Sequence, residues 1–204
     1  MGSSKLGGKE RRALPRTLGE TSRAARSLFQ RIVPADAEVF RGDSWQLVVA
    51  EARAGLRVAL FFRAYLRGHS PGCRLDTRVA IGIGPITYLP KNRVSQGDGP
   101  AFRASGKALE EMPRNRRLAL DVAGGAAPPG IAAVICLIDR WMARWTEKQA
   151  LAVLGRLQGQ TQAQIGQSWA SPVKQQVIAR HLAQAGWDSI EEGLRYVEDT
   201  VEGL

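Results

Sequence analysis

Histidine and cysteine are almost missing from this chain, with two of each in 204 residues. His69 and His181 lie far from each other and from Cys73 and Cys136, which excludes a metal cluster at zinc-finger spacing. Two separate thiols offer no disulfide framework and point to a reducing compartment. No apolar run reaches the ~20 residues that a membrane helix needs. The opening MGSSKLGGKERRALP has no apolar core of the signal-peptide kind. A cytoplasmic protein with no membrane partner is therefore expected. Acidic residues are also short, 19 against 29 Lys and Arg, for a net charge of +10.

What is present is ordinary for a globular chain: 44% hydrophobic and 24% charged residues, enough for one large domain or two small ones. The charge is uneven. Residues 151–204 hold four basic and six acidic side chains, net −2, so the remainder carries +12. A basic excess favours polyanions such as nucleotides, nucleic acid or an acidic partner, although an arginine-preferring genome produces the same bias.

Apolar residues at Leu14, Leu18, Ala25, Leu28 and Ile32 recur at helical spacing, which predicts an amphipathic helix over about 10–32 with Pro15 near its start. The stretch AEVFRGDSWQLVV alternates on both sides of Gly42-Asp43 and predicts a β-hairpin. A helix is expected over Ala52–Leu66, a strand over 77–88, a helix over 99–112 and a strand over LALDV, 118–122. This order implies an α+β sandwich with helices on one side of a sheet. GGAAPPG, 124–130, reads as a linker. Only helices are expected beyond it, so the division is 1–123 and 131–204.

The second half contains a helix capped by Thr146, a short helix after Thr161 and a third from near Pro172, the order of a helix-turn-helix DNA reader. Thr161 and Gln162 can cap the middle helix and touch phosphate. Ser171, Lys174, Gln175, Gln176, Arg180 and His181 supply base-edge and phosphate chemistry with no acid among them. The competing reading is a helical bundle packed against the first half or a partner, which the acidic last helix suits. Trp141 and Trp145, one turn apart, read as a core or dimer stripe.

Asp43 also has two readings: a turn residue, or a carboxylate that holds Mg²⁺ against substrate phosphates. RGDSWQLVV, RVAIGIGPI, VSQGDGPAFRASGKALEEM and TEKQALAVLGRLQGQTQAQIGQ…VKQQVIARHLAQAGWDSIEEGL, taken in order over nearly the whole chain, resemble the SatD family. That family joins a domain similar to class III nucleotide cyclases to a C-terminal helix-turn-helix. The resemblance implies a ferredoxin-like cyclase-type sheet, a metal at Asp43, and a nucleotide site of Asp43, Gly82, Gly84, Arg103 and Lys107 with Mg²⁺ as the possible cofactor. Cyclases place Asn and Arg where Arg103 and Lys107 stand, and a base-selecting Lys where Val39 stands. Their first strand, with a second metal-binding Asp, would precede GSSKL and is expected to be missing, through truncation or an internal start. One carboxylate does not support two-metal chemistry. The expected function is a DNA-binding regulator, a homodimer, whose cyclase-like half binds a nucleotide or mediates dimerisation. An active cyclase or phosphotransferase, with Asp43, Arg103 and Lys107 as its groups, and a protein-interaction scaffold are the alternatives.

Overall fold

The structure, a computed structural model, describes residues 8–41, 44–72, 74–91, 93–125 and 127–203. Helix α1 (Gly8–Phe29) is followed by the antiparallel strands β1 (Glu38–Arg41) and β2 (Ser44–Gln46). A 3₁₀ turn at Ala52–Ala54 leads into α2 (Gly55–Gly68). Strand β3 (Val79–Ile83), helix α3 (Pro100–Glu111) and strand β4 (Leu118–Val122) then make a parallel strand–helix–strand unit. The remainder is helical: α4 (Pro129–Arg144), α5 (Glu147–Leu157), α6 (Gln162–Ser168), α7 (Gln175–Ala185) and α8 (Trp187–Glu202). No helix among the described residues is long and apolar enough to cross a membrane.

The mixed α and β class and the helical second half agree with the sequence. The sheet is smaller than expected. β1 pairs with β2 and β3 with β4, and no ladder joins the two pairs among the described residues. The strand expected over 77–88 keeps only Val79–Ile83. It stops where Gly84 takes φ +154° and Pro85 brings no N–H to continue a ladder. Helices flank β3 on both faces. Ile81 meets the start of α2 at Gly55, while Gly82 turns toward α3, where a Cβ would collide with the Ala101 carbonyl oxygen and stand 2.5 Å from the Ser105 nitrogen. Only glycine lets strand and helix approach so closely.

The core runs straight across the expected linker. Phe61 and Phe62 of α2 share one buried cluster with Ile131, Ile135 and Ile138 of α4, Val153 of α5, Ile178 of α7 and Leu194 of α8. α2 is buried on nearly every side, including Arg63 and Arg67. Buried charge must be paired and hydrogen-bonded, and here it is. Arg63 donates to both Asp76 oxygens at 2.9 and 3.0 Å and to Asp139 at 2.7 Å. Arg67 donates to Asp76 at 2.9 Å and to the Trp145 carbonyl at 3.1 Å. Burial opposes the charge on Asp76, but Arg63, Arg67 and Arg117 outweigh it and hold its carboxyl below the usual carboxylate range. Because Asp139 and Trp145 belong to the helical half, this network ties the two halves together.

The acidic last helix buries Ile190, Leu194, Val197 and Val201 in the core, and two of its acids add ion pairs. Glu198 of α8 receives two hydrogen bonds from Arg57 of α2, at 2.7 and 3.0 Å, and Glu202 pairs with Arg53 at 2.9 Å. The first is a half-buried fork and the second an exposed pair worth at most about 1 kcal/mol.

Candidate functional site

Two capping boxes build the start of the helical unit. Thr146 accepts from the Gln149 nitrogen and Thr161 from the Gln164 nitrogen, while each glutamine side chain returns a bond to the cap. Such boxes fix where α5 and α6 begin. After α6, the chain passes so close that a Cβ on Gly166 would collide with the Val173 carbonyl oxygen, and Val173 N–H bonds to the Gly166 carbonyl at 3.0 Å. That glycine sets the angle between α6 and α7, a signal that the sequence reading missed.

α7 begins three residues later than expected, with Lys174 at its N-cap, so Ser171 and Pro172 lie in the turn. Ile178 and Leu182 are buried against the core, while Lys174, Gln175, Gln176 and Arg180 are exposed. Ser171 and Gln162 are exposed too; Thr161 is exposed but engaged in its cap. Among the described residues, no carboxylate lies within ion-pair distance of Lys174 or Arg180. The chain carries no acidic residue from Gln158 to Trp187. His181 is different. It is half-buried against Trp169, with ring centroids 5.6 Å apart and Nδ1 buried without a partner. Burial first, then Arg180 and Lys148, push its pKa down, so the neutral ring packs rather than offers charge.

Of the residues expected from the cyclase resemblance, Gly82 and Gly84 lie in and just after β3, and Arg103 and Lys107 lie on α3. Asp43 lies outside the described residues. Gly82 sits beneath α3, and Gly84 ends β3 against Ala123. Arg103 and Lys107 share an exposed flank of α3, where Arg103 pairs with Asp98 at 2.8 Å and Lys107 stands 3.9 Å from Asp121. Sequence reading missed both carboxylates. Among the described residues, no group of three His, Cys, Asp or Glu side chains could hold a metal ion.

A hollow lies between β2 and β3, with Gly82 and Gly84 in its lining and Arg103 and Lys107 outside it. It has a volume of about 1210 Å³. The other flank of α3, at Phe102, Ser105 and Leu109, forms part of its lining, and Gly55, Val58 and Ala59 of α2 form another part. Comparison of the chain with protein-family models, curated proteins and solved structures returned no match.

Proposed function

We propose that the chain is a DNA-binding regulatory protein that reads its target with α6 and α7. One observation carries this reading: Lys174, Gln175, Gln176 and Arg180 are exposed within a stretch, 158–187, that has no acidic residue, while Glu198 and Glu202 of α8 pair with Arg57 and Arg53. Glutamine and arginine suit base edges, and lysine suits phosphate. In this reading the first half is a ferredoxin-type, cyclase-like body similar to that of the SatD family, and it binds a nucleotide or mediates dimerisation rather than catalysing a reaction. The separation of Arg103 and Lys107 from the large hollow supports a non-catalytic role.

The test is fluorescence anisotropy with random-sequence duplex DNA. The two cations of this face, Lys174 and Arg180, imply a salt slope near −2, so affinity falls about tenfold between 50 and 200 mM salt. Lys174→Ala and Arg180→Ala should each weaken binding and reduce the slope by about one. Absence of binding at low salt, or binding indifferent to both substitutions, refutes the proposal.

A further inference from the structure

The two strand pairs leave main-chain groups facing the hollow. Val79 N–H bonds to the Arg117 carbonyl, and the Ile83 carbonyl accepts from Ala123 N–H, both at 2.8 Å. In a parallel ladder such a residue spends both of its backbone groups on the same neighbour. Residues 79, 81 and 83 are therefore committed to β4, and Ala80 and Gly82 direct N–H and C=O the other way, into the hollow. On the opposite wall, beyond Gln46, the backbone of Leu47, Val48 and Val49 makes no main-chain hydrogen bond among the described residues. Two open edges thus confront each other across a single space. Open edges recruit strands, and buried backbone groups demand partners.

Size and polarity narrow the occupant. At about 1210 Å³ the hollow exceeds the ~300–1,000 Å³ of small-molecule pockets. Its walls at β3 run for five residues, ~17 Å of extended chain. Trp45 Nε1 donates to Thr77 Oγ1 at 2.9 Å and brings the starts of β2 and β3 to the same mouth. Arg74, Arg78 and Arg117 line the hollow with Glu110 and Asp76. Arg117 stands 3.7 Å from Asp76, and Arg78 donates to the Leu109 and Met112 carbonyls. Exposed Arg74 is therefore the arginine without a partner among the described residues, whereas Glu51 lies at the far end of the β2 wall. Two buried polar atoms of lining residues, Gln46 Oε1 and Arg78 Nε, have no partner.

We propose that this hollow receives one extended peptide strand from another protein, inserted between β2 and β3 and hydrogen-bonded to both. Apolar side chains at alternate positions would face Val58 and Ala59, and an acidic carboxyl end would meet Arg74. The insertion therefore runs antiparallel to both walls, with its amino end toward Glu51. It would join the two sheets into one. The inference stands apart from the DNA-binding reading and survives its failure.

The probe is an octapeptide of alternating threonine and valine that ends in two aspartates, titrated into the full chain. Amide exchange at Val48, Ala80 and Gly82 should slow by about tenfold or more on binding, the equivalent of one net hydrogen bond each. N-methylation of the odd peptide amides and of the even ones should each weaken binding about tenfold, because an inserted strand uses both edges. Replacing the two aspartates with lysines should also weaken it, and Arg74→Ala, at an exposed position, should shrink that difference. Loss from only one N-methylated set means addition to a single edge and overturns the proposal. Protection of these amides in the free protein overturns it too: if it grows with concentration, a second copy fills the space, and if not, the chain covers itself.

Discussion

Asp76→Asn tests how the two halves are held together. The substitution keeps the shape of the side chain but removes the charge that receives Arg63 twice, Arg67 once and the Thr77 N–H at 2.9 Å. Arg63 and Asp76 side chains are only 1% and 7% exposed, so water cannot replace the lost partner. Removing one member of a buried pair costs about 3–5 kcal/mol. The lower end applies, since Asp139 still accepts from Arg63 at 2.7 Å. For a chain of this size about 3 kcal/mol lowers the Tm by roughly 6–12 °C. Urea unfolding followed by circular dichroism at pH 7 measures the loss directly. The pH dependence supplies an independent check. The folded carboxyl titrates below its unfolded value of about 3.9, so the unfolded state binds more protons between the two. The contribution is complete above about pH 5 and fades as pH falls through 4 toward the folded value. The variant should therefore lose less stability than the parent between pH 5 and 3. Equal losses in that window, or a variant within about 1 kcal/mol of the parent at pH 7, would refute the account of the network.

Gly82→Ala should destabilise the chain by about 2 kcal/mol or more, because its Cβ meets backbone of α3 rather than a movable side chain; calorimetry showing an unchanged Tm would remove the close approach as the reason for glycine there. The His181 ring should titrate below 6.5 by NMR, and the stability of the α6–α7 unit should fall as pH drops through 6.5, since its protonation favours the unfolded chain. A ring that titrates at or above 6.5 would show that it is not packed as described.

Periodicity made the helices legible. α3 and β4 stand within a residue of their expected bounds because Pro100 and the β-branched or apolar run LALDV are local signals. The same holds for Thr146 and Thr161, whose caps are written three residues ahead of their glutamines. What escaped the sequence was long-range. Gly124–Gly130 reads as a linker by composition, yet α4 starts inside it at Pro129 and continues a core begun in α2. The burial of Arg63 has no local signal, since its partner Asp139 lies 76 residues away. The pairing of Arg103 and Lys107 with Asp98 and Asp121 was equally hidden, since nothing local tells which flank of α3 faces the hollow. The exposed face of α7 was legible because Ile178 and Leu182 are one turn apart.

Helix α2 touches everything of interest. Its first turns, at Gly55, Val58 and Ala59, border the hollow, and its last residue, Gly68, lies against Leu151 of α5. α5 in turn admits Ile165 of α6 at Gly155, directly ahead of the proposed reading surface. A close-packed rod of this kind transmits displacement instead of absorbing it. Thermodynamic linkage then makes the traffic two-way. If filling the hollow tightened DNA binding by about tenfold, DNA would hold the occupant tighter by the same factor, so a single titration at one end measures the coupling at both.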